Sequence, residues 1–156
     1  MNVDFTHLLK DHNLSLTAVR LAVLQALHDH PHSDANTIFA AVQQRIPTAT
    51  LQAVYNNLNA LTEAAIIQEI KPKGRVSLYE TRVGDNHHHI VCRTCGHIED
   101  TDCKGLAPCL SPASTHGYAI DQAEVIFWGV CPSCQESSGQ NTASNTHTGD
   151  NHEKCR

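Results

Sequence analysis

The chain has 156 residues, 7 cysteines, 12 histidines and a net charge of -5 with histidine neutral. That length allows one or two small domains that need a metal or a partner chain to complete their cores. No apolar run or leader-like segment reaches the length of a membrane span, which excludes a membrane protein and leads us to expect a soluble, cytoplasmic one. Residues 1–83 hold equal numbers of basic and acidic side chains while 84–156 carry the whole acidic excess, so the first half is free to meet phosphates.

In chain order, Thr17 reads as the N-cap of a helix through Val19, Leu21, Val23, Leu24 and Leu27 to His28, with Pro31 beyond its end. Ser33 or Asp34 can cap a second helix through Ile38, Phe39 and Val42, which Pro47 closes. Thr50 caps a third, with Leu51, Val54, Leu58 and Leu61 on one face. Its other face carries Gln52, Tyr55, Asn56 and Asn59 and no acidic residue. Ile66–Ile70 and Val76–Glu80 then read as two strands joined by the basic turn Lys71-Pro72-Lys73-Gly74-Arg75. Taken singly, the helix face is a solvated surface and the turn a charged, soluble edge. Together, three helices followed by a basic hairpin make a winged helix. Gln52, Tyr55 and Asn56 would then enter a major groove, and Lys71, Lys73 and Arg75 would lie along the phosphates.

Residues 81–86, which include Gly84, read as a hinge. Beyond it the pattern turns to short apolar runs, His89–Cys92 and Glu124–Val130, typical of strands. Two C-x-x-C brackets, Cys92/Cys95 and Cys131/Cys134, supply four soft ligands at about 2.3 Å, the tetrahedral arrangement of a structural zinc site. Two disulfides or a redox C-x-x-C are the competing readings. The paired brackets and the lack of a secretory signal favour zinc. The 35 residues between the brackets call for a small subdomain rather than a single hairpin. On a strand, His87 and His89 share a face and His88 takes the other. Glu80 and Asp100 could add oxygen to that pair and His32 a third imidazole, although a lone histidine such as His32 also fits a surface or capping role. Three nitrogens and two oxygens suit iron(II), manganese(II) or zinc. Residues 138–156 have the composition of a disordered tail, and Cys103 and Cys109 are either a thiol switch or ordinary loop cysteines.

The stretches Thr17-Ala18-Val19-Arg20, His30-Pro31-His32-Ser33, Ala53–Leu58 and His87–Gly96, with both brackets in order, resemble the ferric uptake regulator (Fur) family from Leu8 to Cys134. The resemblance implies an α+β homodimer: an N-terminal winged helix-turn-helix domain (1–80), the hinge (81–86) and a small metal-binding α/β dimerisation domain (87–137) with a structural zinc. It also implies a regulatory metal, iron(II) or manganese(II), held by His32, Glu80, His87, His89 and Asp100, that switches binding to a palindromic double-stranded operator and so represses transcription. Tyr79–His89, followed by Asp102-Cys103 and Ala107-Pro108-Cys109, is similar to the subgroup that represses catalase-peroxidase genes and answers peroxide as well as iron. Glu80, however, stands where peroxide sensors often carry Asp. Ser15 replaces a minor-groove Lys or Arg, a contact left to Lys10 or Arg20. Asn86 and Ala123 fall where a second histidine-rich site would need histidines. Zinc sensing is the alternative within the family. An enzyme or a metal-storage module is the alternative outside it, and no H-E-x-x-H motif supports a zinc enzyme.

Overall fold

The computed structural model describes residues 4–85, 87–102, 112–120 and 124–137. The readings made for Asn86, Cys103, Cys109, Ala123 and the tail at 138–156 lie outside these residues. Four helices open the fold: α1 (Phe5–Asp11), α2 (Ala18–Asp29), α3 (Ala35–Arg45) and α4 (Leu51–Glu63). Three begin at caps visible in the sequence. Thr17 Oγ1 accepts from the Arg20 amide at 3.2 Å, Asp34 Oδ1 from Thr37 at 2.7 Å, and Thr50 Oγ1 from Ala53 at 3.1 Å, each satisfying a donor that the helix itself cannot. α1 was not anticipated. Asp4 caps it by accepting from the Thr6 and His7 amides, and it holds on to the rest through Phe5 and Leu9. The helix expected to enter the major groove is therefore the fourth and not the third.

Leu9, Leu24, Leu27, Ile38, Leu58 and Leu61 are fully buried in one core between these helices, each contributing about 1.5–3 kcal/mol. The wing hairpin follows as β1 (Gln68–Ile70) and β2 (Leu78–Glu80), antiparallel with Ile70 opposite Leu78. It is shorter than the apolar runs suggested. The Ile66 and Ile67 amides both donate to the Leu61 carbonyl, so these residues finish the turn after α4 and bury their side chains in the helical core.

A three-stranded sheet of order β4-β3-β5 follows: β3 (His87–Cys92) in the centre, β4 (Ile98–Asp102) antiparallel to it and β5 (Ile126–Gly129) parallel. A short helix, α5 (Pro132–Ser137), carries Cys134. The chain is thus α+β, helices first and sheet second. A second buried cluster joins the halves: Ile70 of β1 and Leu78 of β2 pack with Val91, Ile98, Ile126 and Trp128 of the sheet.

Candidate metal centres

Backbone pairing builds the first centre. An isolated bridge joins Ser33 to Tyr79, with the Tyr79 amide donating to the Ser33 carbonyl at 2.9 Å, so the loop between α2 and α3 lies against β2 and His32 comes beside Glu80. His32 takes a left-handed φ of 57°, a conformation that costs energy in a non-glycine residue and often marks a working site. In the sheet, His89 lies opposite Asp100 and His87 opposite Asp102, which puts both imidazoles and the carboxylates on one face.

Three imidazole Nε2 atoms converge on two carboxylates. His32 lies 3.1 Å from Glu80 Oε2 and 2.8 Å from Asp100 Oδ1. His87 and His89 each lie 3.1 Å from Glu80 Oε1, and 3.9 and 3.6 Å from Asp100 Oδ1. Glu80 is only 1% exposed. Burial alone would push its carboxyl up, but hydrogen bonds from His32 and His89 and the charges of His89 and His87 bring it down to about 2. For His32, burial opposes the charge, and Glu80 and Asp100 outweigh it, raising the imidazole above its ordinary 6.5. The two partners' shifts agree on a buried anion that draws cations.

Arg82 and Asp85, which sequence reasoning passed over, fix this cluster from behind. The Arg82 guanidinium donates to Asp85, to Asp102 and, at 3.3 Å, to Asp100 Oδ2. Asp85 in turn meets His87 Nδ1, which orients the ring so that Nε2 faces inward. The signal for Arg82 was the carboxylates alternating at positions 100 and 102 opposite the two histidines, readable only once the strands are paired.

These donors fit a divalent cation. Buried Glu80 and exposed Asp100 bring two carboxylates to one point, and a cation lets all three Nε2 atoms act as acceptors at once. His88 points to the opposite face, buried against the Phe127 ring at 6.1 Å.

The second centre gathers Cys92, Cys95, Cys131 and Cys134, whose sulfurs all lie within 4.8 Å of one another. Cys95 and Cys131 are 3.7 Å apart, too far for a disulfide and close to the ~3.8 Å edge of a zinc–sulfur tetrahedron. The amides of Cys131 and His97 donate to Cys92 Sγ and Cys95 Sγ. Amide donation from Cys131, then Cys95, pulls the Cys92 thiol down to about 5, whereas the sulfurs of Cys131 and Cys95 push Cys134 up to about 12. Four thiolates gathered this closely call for a cation, which points to a structural metal such as zinc rather than to the disulfide or redox readings.

The residues expected at DNA divide. Gln52, Tyr55 and Asn56 are exposed along α4, with Gln52 donating to Asn56 at 2.9 Å. Lys71 and Lys73 are exposed on the wing, Lys71 pairing with Glu69. Arg20 is engaged within the domain: its guanidinium donates to the Ser15 carbonyl at 2.6 Å and to Asn57 at 3.0 Å. Arg75 turns toward the first cysteine bracket and donates to the carbonyls of Cys92 and Arg93. Among the described residues no helix is long and apolar enough to cross a membrane.

The model of the family described as "Ferric uptake regulator family" matches residues 11–127. "Transcriptional regulator FurA" of Mycobacterium tuberculosis (strain ATCC 25618 / H37Rv) is 51% identical over 135 residues, covering 86% of this chain and 92% of that protein. The "Peroxide operon regulator" of Bacillus subtilis (strain 168) is 28% identical over 131 residues, covering 82% and 89%. Among solved structures, the ferric uptake regulator of Vibrio cholerae superposes with a TM-score of 0.64 at 23% identity, covering 82% of this chain and 100% of that one, and so shares its fold.

Proposed function

We propose that this chain, which belongs to the ferric uptake regulator family, is an iron-responsive repressor whose regulatory metal sits among His32, Glu80, His87, His89 and Asp100. The family assignment makes it a metal-dependent transcriptional regulator that binds DNA, acts as a dimer and is not an enzyme. The observation that carries the regulatory reading is the origin of the ligands. His32 lies before α3 and Glu80 ends the wing strand, while His87, His89 and Asp100 belong to the sheet. A cation held by all five fixes the winged helix relative to the sheet, and in a dimer it thereby fixes the spacing of two α4 helices against two half-sites. Metal that favours this arrangement raises DNA affinity by the difference in its binding to the two arrangements, commonly about 1–3 kcal/mol.

Within this reading Gln52, Tyr55 and Asn56 contact bases and Lys71 and Lys73 contact phosphates of a palindromic operator, with cytoplasmic repression of iron-homeostasis genes as the outcome. The assignment of iron(II) rests on a mixed nitrogen and oxygen set open to iron, manganese and zinc and on the family's ferric relatives. It is tested by adding each ion to apo protein that retains one zinc per chain. DNA binding restored by iron(II) or manganese(II) supports it, and binding restored by zinc alone replaces it with a zinc sensor.

A peroxide response at the same centre is the second reading, favoured by the 28% identical peroxide regulator. Bound iron(II) would supply the electrons that activate peroxide beside the imidazoles of His32 and His87. One oxygen atom added to either ring appears as +16 by mass spectrometry after brief exposure of the iron-loaded protein. Unmodified histidine peptides with unchanged DNA binding sink this reading, against which Glu80 already stands where peroxide sensors often carry Asp.

A further inference from the structure

The turn of the wing is held at Arg75, where the Arg75 amide closes back on the Pro72 carbonyl at 3.0 Å and Gly74 takes a φ of 77°. From there the guanidinium reaches across to the cysteine bracket of the other domain. Its Nη2 donates to the Arg93 carbonyl at 3.1 Å and the Cys92 carbonyl at 3.4 Å. It also lies flush on the bracket's glycine: a Cβ built at Gly96 would fall 2.0 Å from Arg75 Nη1 and 2.8 Å from Cζ. Gly96 has a left-handed φ of 81° and donates its amide to Cys92 O at 3.0 Å, so the glycine both closes the bracket and leaves room for the arginine. Behind this contact, Ile70 and Leu78 of the hairpin share the apolar cluster with Val91, Ile98, Ile126 and Trp128. The hairpin thus has two anchors on the sheet besides the ligands.

We infer that Arg75 is a positioning residue, a latch that seats the wing on the structural-zinc bracket and thereby presets Glu80 for the regulatory metal. Glu80 ends the strand that Arg75 leads into, so a wing released from the bracket is a wing whose Glu80 must be brought back by the metal itself. Apparent metal affinity then falls by the fraction of molecules already seated. The reach and flat face of the guanidinium are required, since Nη2 sits between two carbonyls while Nη1 and Cζ lie on Gly96, and the shorter, compact ammonium of Lys does not replace them. Charge alone would suffice for a phosphate contact, the role that the sequence suggests for Arg75.

This inference rests on the regulatory reading of the Glu80 site, and the test separates the two. Manganese(II) is titrated into full-length, zinc-loaded protein without DNA, following the free-ion signal by electron paramagnetic resonance, for wild type, R75A and R75K. Hydrogen exchange of residues 68–80 is followed in the same three proteins. The latch predicts that R75A and R75K both weaken manganese binding by about two- to tenfold, the span of one or two ordinary hydrogen bonds. It also predicts faster exchange in the wing, with α2–α4 unchanged and the zinc retained. Wild-type manganese affinity and wing exchange in R75K, together with an R75A variant that only loses about one unit of salt slope in DNA binding, identify a phosphate contact and overturn the latch. If wild type binds no manganese, the regulatory reading fails instead. The latch is then judged on exchange alone, and unchanged exchange in R75A overturns it.

Discussion

Glu80 touches all three imidazoles of the cluster, so E80Q strips the regulatory centre of its central charge while leaving the four cysteines alone. We expect manganese affinity to fall by more than the roughly 100-fold reached by substitutions behind a ligand, with one zinc per chain still found by elemental analysis. Arg82 acts from behind Asp100 and Asp85. Because its side chain is partly exposed, we expect R82A to weaken manganese binding about tenfold, near the lower end of that range. His32 sets the pH dependence. Its raised pKa steadies the metal-free fold below the unfolded value of 6.5, and that contribution is lost as pH rises through the folded value. Metal affinity runs the other way, because the cation must displace the proton. Manganese binding should therefore strengthen as pH climbs past the ordinary histidine range and then level off, and a flat profile from about pH 6 to about pH 8 would contradict the assignment. At this scale the cysteines and His87/His89 were legible because their spacing is local. His32 was left open between ligand and surface residue because the Ser33–Tyr79 bridge that places it is a contact distant in sequence.

Among the elements, α4 opens on a threonine cap. Thr50 satisfies the Ala53 amide, and T50A should cost about 1 kcal/mol, read as a lower thermal midpoint with metal binding intact. L58A in the middle of the same helix opens the core where Leu58 is fully buried and should cost about 2–5 kcal/mol. The three longer helices showed themselves through caps and apolar period. α1 was hidden by a mixed, polar sequence whose two anchors, Phe5 and Leu9, are too few to establish a period. β4 was hidden for a different reason: Glu99, Asp100 and Asp102 break the apolar alternation expected of a strand. Acidic side chains fit there because Asp100 and Asp102 face histidines and Arg82 across the sheet, so tertiary pairing overrides local propensity.

For the whole molecule, three contacts join the winged helix to the sheet: the cluster of His32, Glu80, His89 and Asp100, the shared packing of Ile70, Leu78 and Val91, and Arg75 on the first cysteine bracket. The sequence pointed to the residues that gather in both clusters, but it could not show that the wing would share a core with the second domain, since Ile70 and Leu78 look like ordinary hairpin residues. A fold held partly by apolar packing needs only a modest contribution from the metal to fix its orientation, as a reversible sensor requires. The central claim is that metal at the Glu80 centre and DNA at α4 favour the same arrangement, and linkage makes that claim reciprocal. The most direct measurement is a manganese(II) titration of the zinc-loaded protein with and without a duplex selected by the metal-loaded protein from a random pool. The account predicts that the duplex tightens manganese binding by the same factor, about 5- to 150-fold, by which manganese tightens duplex binding, and that E80Q abolishes both effects. Equal manganese affinity with and without the duplex would contradict it.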